Sequence, residues 1–290
     1  MKICIACDAK FNGSSEWRCP VCGFTPLALE GYLCFSPELA RVNDGFRAES
    51  FRDLFVLEDQ NFWFTSRNCL IVWALQKYFP QARNFLEIGC GTGYVLSGIQ
   101  KLNPNLTLSG SEIYVNGLEF TSQRLNNIEL FQMDARKMPF DNEFDVIGAF
   151  DVIEHIPEDE LVLSEAFRSL NPGGGILITV PQHPFMWSIT DDYACHVRRY
   201  TAEELRRKVE RAGFKVERMT SFVSLLLPLM LISRLRSRTQ KEKFDPGGEL
   251  KVNPVLNKSL ECILSFERLF IKAGVSFPFG GSLLLVGRKV

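Results

Sequence analysis

Histidine is scarce in this chain of 290 residues: there are 3, so any imidazole base or ligand has to be His155, His183 or His196. An excess of charge of one sign is missing too, with 33 basic against 34 acidic residues and a net charge of -1. That balance speaks against a dedicated nucleic-acid binder, which shows a strongly basic total or stripe, and it leaves room for local patches. Long apolar runs are absent. The longest, Phe222 to Ile232, has about half of the roughly twenty residues that a spanning helix needs, and Pro228 interrupts it. No apolar signal core follows the opening Met1-Lys2-Ile3-Cys4. The 9 cysteines are unevenly placed, four of them in two Cys-x-x-Cys pairs, which suits a reducing compartment. A cytoplasmic location is the expectation.

Apolar residues are plentiful, at 46%, enough for a full core in one large domain with attachments. The chain is organised around Asn84-Phe85-Leu86-Glu87-Ile88-Gly89-Cys90-Gly91-Thr92-Gly93-Tyr94-Val95. A short apolar run with one acid is followed by three alternating glycines and then a helical pattern, which reads as strand, tight loop, helix. Such a loop lets backbone N–H groups and a helix N-terminus approach a nucleotide-like cofactor. The dinucleotide fingerprint needs glycine at its sixth position, and counting from Gly89 that residue is Tyr94.

The run Glu87-x-Gly-x-Gly-x-Gly resembles motif I of the class I S-adenosylmethionine-dependent methyltransferases. Glu112 closes the second strand in Leu108-Ser109-Gly110-Ser111-Glu112, Asp134 follows the third, and Phe144 to Pro157 resembles the segment after the fourth strand in ubiquinone-biosynthesis O-methyltransferases and their small-molecule relatives. The resemblance covers residues 85–181. It implies cofactor contacts from Arg67, Glu87, Gly89, Cys90, Gly91, Gly93, Glu112, Ile113, Asp134, Ala135, Phe150 and Asp151, with Glu87 at the methionyl ammonium, Glu112 at the ribose and Asp134 at the adenine amine. Asp134 reads equally as a turn or cap residue, and Arg67 as a solvated cation.

Strands at 85–88, 106–111, 128–131, 144–150, 175–180 and 214–222 alternate with helices near 93–102, 115–125, 158–170 and 201–212. The expected fold is α/β: a Rossmann-like, seven-stranded, mostly parallel sheet with helices on both faces. The resemblance implies that the last run, Ser282 to Gly287, is an antiparallel strand beside the sixth. Cys4-x-x-Cys7 and Cys19-x-x-Cys22 bracket a turn cluster at Asn12-Gly13-Ser14-Ser15. Four thiolates at ribbon spacing predict a closed, structural Zn2+ site. The divisions expected are a zinc ribbon at 1–28, a helical lead-in at 29–82, the cofactor-binding core at 83–222, and at 223–290 a helical insertion over the substrate site plus the final strand.

Methyl transfer to a hydroxyl calls for a nearby base. His196 and His155 are the catalytic candidates. Asp191 to Tyr200 ends in His196-x-Arg198-Arg199-Tyr200, which resembles a motif bordering the substrate cavity in this superfamily, so Arg198, Arg199, Tyr200 and His183 are expected at the acceptor. Arg199 and Tyr200 read equally as anchors of the loop. Asp151-x-x-Glu154-His155 approximates the Glu-x-x-Glu-His metal pattern of the ubiquinone-type enzymes, with Asp in the first place. Residues 222–243 join an apolar stretch to Arg234, Arg236, Arg238, Lys241 and Lys243. This fits peripheral contact with an anionic membrane, a cover over a greasy substrate, or simply a packed helix followed by a solvated one. The leading reading is methyl transfer to a small or lipid-like molecule, at oxygen. A zinc-ribbon RNA methyltransferase and a cofactor-binding scaffold that docks a protein partner are the alternatives. The Asn/Asp-Pro-Pro-aromatic signature and a Pro-Cys nucleophile are absent after the fourth strand, which disfavours methylation of base amines.

Overall fold

The computed structural model describes residues 1–12, 17–41, 48–239 and 252–290, with the side chains of 48, 49 and 235–239 left aside. Lys241, Lys243 and most of the turn cluster at 12–15 lie outside the described residues. The chain begins with a small hairpin, β1 (Lys2–Ile3) and β2 (Lys10–Phe11), and a second one, β3 (Leu27–Leu29) and β4 (Tyr32–Cys34). Helices α1 (Ala48–Leu57) and α2 (Phe62–Tyr78) lead to β5 (Asn84–Ile88), α3 (Tyr94–Leu102), β6 (Thr107–Glu112), α4 (Val115–Arg124), β7 (Glu129–Gln132) and β8 (Phe144–Phe150). Then come α5 (Asp159–Ser169), β9 (Leu170–Pro181), α6 (Ile189–Tyr193), α7 (Ala202–Arg211), β10 (Phe214–Phe222), α8 (Leu227–Thr239), α9 (Pro254–Lys272) and β11 (Ser282–Lys289).

The large sheet runs β10-β11-β9-β8-β5-β6-β7-β4-β3. Strands β5 to β9 are mutually parallel, and β11 is antiparallel to both β9 and β10. Both faces are covered, as a parallel sheet requires. Along β5, Leu86 and Ile88 join the core layer that receives Leu163 of α5 and Leu205 of α7, while Phe85 joins the layer built from Ile71 of α2, Leu96 of α3 and Leu264 of α9. Side chains of a strand alternate faces, so this one short run feeds two cores.

Seven strands are expected from the sequence, and among the described residues the large sheet holds nine. The two additional strands are β3 and β4, joined through Glu30 and Gly31, whose φ values of 54° and 90° are both positive, as a tight two-residue hairpin turn demands. β4 pairs in parallel with β7, Leu33 opposite Phe131 and Cys34 opposite Gln132. The pairing hides the backbone edge that β7 would otherwise leave exposed. It also carries the cysteine-bearing segment onto the core, where Trp17 packs edge-on against Phe35 and Phe140 at 4.5 and 5.5 Å between ring centres.

Candidate active site

Because β5 to β8 are parallel, the segments that follow them emerge at one edge of the sheet, where ligands of such folds bind. After β5 the chain makes a tight loop in which Gly89, Gly91 and Gly93 have φ of 64°, 52° and 74°. A Cβ on Gly89 would lie 2.6 Å from Cγ2 of Val152. Gly89→Ala is therefore expected to cost about 1–3 kcal/mol, read as a lower urea midpoint. The loop is tied down by its neighbours: Cys90 N–H donates to Ser111 O at 2.9 Å, and Thr121 Oγ1 donates to Gly91 O at 2.8 Å. Cys90 itself is buried, which pushes its thiol far up.

Glu112, at the end of β6, reaches this loop. Its carboxylate accepts from Gly91 N–H at 3.0 Å and from Ile113 N–H at 2.8 Å. Burial raises its proton affinity, and the backbone donors of Tyr114, Gly91 and Ile113 partly offset that. Glu87 is buried with one carboxylate oxygen, Oε2, unpartnered among the described residues. Desolvation holds its carboxyl well above the ordinary range, and the nearby Arg67 charge lowers it only in part. Arg67, in the first half of α2, lies over the Trp63 ring at 4.7 Å and is ion-paired to Asp151, while its Nε is buried without a partner among the described residues. The backbone of Asp151 is left-handed, with φ 57°, and Thr179 Oγ1 donates to its carboxylate at 3.2 Å. Phe150, buried, precedes it.

Asp134 follows β7 beside the buried Ala135. Arg136, which carries no signature in the sequence, closes on Asp134 with its backbone N–H at 2.9 Å and with Nε and Nη2 at 3.0 and 2.9 Å. Arg136 thus occupies much of the carboxylate that the resemblance assigns to an adenine amine. Two further groups without a sequence signature are Glu58 and Arg124, paired at 2.8 Å beneath Thr92 of the glycine loop.

A second cluster forms where the short turn Ile153–His155 meets the segment after α6. The rings of His155 and His196 stand edge to face with centres 4.7 Å apart, and His196 Nε2 lies 4.0 Å from Glu154 Oε1. His196 Nδ1 is 2.9 Å from Asp191 Oδ1, which also accepts from Arg199 Nε at 2.7 Å. Burial pushes the Asp191 carboxyl up, but the bonds from His196 and Arg199 outweigh it and hold the group far below the carboxylate range. Glu154 is wholly buried, both its oxygens unpartnered among the described residues, and burial followed by the Asp151 charge raises it well above the ordinary range. Burial and then the His196 charge bring His155 down to about 4. Ligand atoms of Glu154, His155 and His196 lie within 4.8 Å of one another, an arrangement able to hold a divalent ion. Of the run Asp151-x-x-Glu154-His155, Glu154 and His155 come together with His196, while Asp151 turns to Arg67 and Thr179.

Three of the residues expected at the acceptor are engaged within the protein. Tyr200 is completely buried, and its hydroxyl donates to Asp159 at 2.6 Å. Arg199 is buried on Asp191 and Gln182 O, and Arg198 pairs with Asp159 at 2.6 Å. A buried cation or hydroxyl needs a satisfied partner; Arg199 and Tyr200 have theirs in the protein, while Arg198 is half-buried. His183, with φ 64°, is stacked between Phe185 and Phe279 at 5.0 and 5.6 Å.

At the other end of the chain the two cysteine knuckles match each other. Asp8 N–H donates to Cys4 O and Gly23 N–H to Cys19 O, with φ 57° and 73° at those donors. Sulfur separations are 3.6 Å for Cys4 and Cys22 and 3.7 Å for Cys7 and Cys19. A tetrahedral metal with bonds of about 2.3 Å to sulfur has edges of about 3.8 Å, so the four thiols fit one ion.

The family model described as "Methyltransferase domain" matches residues 63–218, more than half of the chain. The chain belongs to this methyltransferase-domain family. A probable S-adenosylmethionine-dependent methyltransferase of Mycolicibacterium smegmatis is 30% identical over 165 residues, 56% of this chain and 62% of that protein. The match thus spans less than two thirds of that relative's length. The ubiquinone biosynthesis O-methyltransferase of Thiobacillus denitrificans is 24% identical, over 54% of this chain and 74% of its own. The fold of this methyltransferase domain is that of a putative sarcosine dimethylglycine methyltransferase from Galdieria sulphuraria, with a TM-score of 0.57 at 16% identity, covering 83% of this chain and 98% of that one.

Proposed function

We propose that the protein transfers a methyl group from S-adenosylmethionine to a small or lipid-like acceptor, at oxygen, and that its four N-terminal cysteines hold a structural zinc ion. The observation that carries the cofactor reading is the pair of orphaned groups beside the glycine loop: an unpartnered carboxylate oxygen on Glu87 and an unpartnered Nε on Arg67. The amino-acid end of the cofactor offers an ammonium donor to the first and a carboxylate acceptor to the second. Glu112, whose oxygens keep lone pairs beyond those given to backbone N–H groups, takes the ribose hydroxyls. When bound, the cofactor supplies a methyl group activated by its sulfonium.

The protein's part is to align the acceptor and receive its proton. His196 is the base in this reading, with Nδ1 fixed by Asp191 and Nε2 free to take the proton from the acceptor hydroxyl. Acceptor oxygen is supported by the ubiquinone-biosynthesis O-methyltransferase among the relatives.

The cofactor reading is tested by calorimetry. Glu87→Gln is expected to weaken S-adenosylmethionine binding by about 10- to 150-fold, the worth of a hydrogen bond to a charged group. An unchanged Kd would remove Glu87 from the site, and no binding by the wild-type protein would remove the assignment itself.

A further inference from the structure

Of the two helices described between β10 and β11, α9 buries one face and α8 turns the half-buried Met230 to the core, and each leaves exposed apolar residues on another face. On α9, Leu260, Leu264, Glu267 and Ile271 are buried against the core. Beside that stripe, Leu256, Ile263, Phe266, Leu269 and Phe270 recur at helical spacing and are all exposed, Phe266 by 56% and Leu269 by 64%. On α8 and the residues leading into it, Leu225, Leu229 and Ile232 repeat the pattern at i, i+4 and i+7, again exposed. The two stripes are linked. The Glu267 carboxylate accepts from the backbone N–H groups of Val223, Ser224 and Leu225 at 2.6, 2.7 and 2.8 Å, which fixes the start of α8 beside the part of α9 that carries Phe266 and Phe270.

One apolar face is what packing onto a core requires. A second one is not, and apolar surface of this extent marks a contact with something else. Charge indicates what that is. Arg234, Arg236, Arg238, Lys241 and Lys243 fall within ten positions that include one acid, Glu242, in a chain whose net charge is -1. The polar stripe of α9 adds Arg268 and Lys272, while its Lys258 and Glu261 pair at 2.9 Å and cancel. A symmetric contact with a second copy would set this basic sequence against itself, and like charges oppose that.

We propose that the α8–α9 face docks on the surface of a bilayer containing anionic lipids. Among the described residues no helix is long and apolar enough to cross a membrane, so the contact is one of lying on the surface, with apolar side chains among the acyl chains and basic ones among the headgroups. The inference is independent of the methyl acceptor.

The test is co-sedimentation of the full chain with vesicles of phosphatidylcholine alone and of equimolar phosphatidylcholine and phosphatidylglycerol. The wild-type protein is expected to bind the second at least about tenfold more tightly, and to lose that preference in high salt. The double variant F266E/L269E, at exposed positions, is expected to lose about tenfold or more with an unchanged Tm. K241E/K243E, which leaves the apolar stripes intact, is expected to lose the preference for phosphatidylglycerol. Equal partition on both vesicles, wild-type binding by F266E/L269E, or a lipid-free dimer that F266E/L269E dissociates would each overturn the proposal, the last by giving the face to a second copy.

Discussion

His196→Ala is expected to lower the rate of methyl transfer by about a hundred- to ten-thousand-fold, the usual worth of a positioned general base, while the Kd for S-adenosylmethionine stays unchanged. The reason is that among the described residues the His196 ring has one hydrogen-bond partner, Asp191 Oδ1 at 2.9 Å, and presents its other nitrogen toward Glu154. Removing the ring takes away the proton acceptor and leaves Arg199 still paired with Asp191. Asp191→Asn behaves differently. It loses the charge that orients His196, and it also strips a buried arginine of its carboxylate, so both the rate and the Tm fall; breaking a buried pair by removing one partner costs about 3–5 kcal/mol. Single-turnover transfer to a model acceptor, followed beside calorimetry and thermal melting, separates the two effects. A His196→Ala protein within about threefold of wild type, a difference of only about 0.6 kcal/mol, would move the base elsewhere.

The second large effect concerns the cysteine cluster. Elemental analysis is expected to find one zinc per chain, and Cys4→Ser with Cys19→Ser to find none. Both side chains are buried at 3% exposure, so the variant loses two ligands from the interior of the site. The consequence reaches past the ribbon, because Trp17 rests on Phe35 and Phe140, and Ile3 N–H donates to Pro139 O at 2.9 Å. Releasing Trp17 and Phe35 to water forfeits about 2–3 kcal/mol each, so the Tm is expected to fall by about 10–20 °C at this chain length. Strong chelation is expected to do the same, with a red shift of tryptophan emission. A zinc-free protein with the wild-type Tm would make the cluster a set of ordinary thiols.

Much of the fold is legible in local patterning. The strand at Asn84–Ile88, the helix opening at Tyr94, and the strands Phe144–Phe150 and Phe214–Phe222 lie within a residue or two of their expected places; for the parallel strands β5 and β8 the reason is that a doubly covered strand writes itself as a nearly continuous apolar run. Strands β3 and β4 are a different case. Leu27 to Cys34 carries a hairpin signal in Glu30-Gly31, but nothing in those residues says that the hairpin will pair with β7, since edge pairing is a contact between segments far apart in sequence.

What the amino-acid sequence determined by itself is the part of this protein set by short-range rules. Those are the glycine loop after a buried strand, the acids at the ends of β5 and β6, the two cysteine knuckles, and the alternation that makes a covered parallel sheet. Tertiary structure alone decided the groupings. Glu154 and His155 meet His196 rather than Asp151, while Arg198, Arg199 and Tyr200 turn inward to Asp159 and Asp191. For Arg199 and Tyr200 the physical reason is that a charged or hydroxyl-bearing side chain in a low-dielectric interior goes to whichever partner satisfies it; for all of these groups the neighbour is chosen by packing across the sheet edge, not by position along the chain.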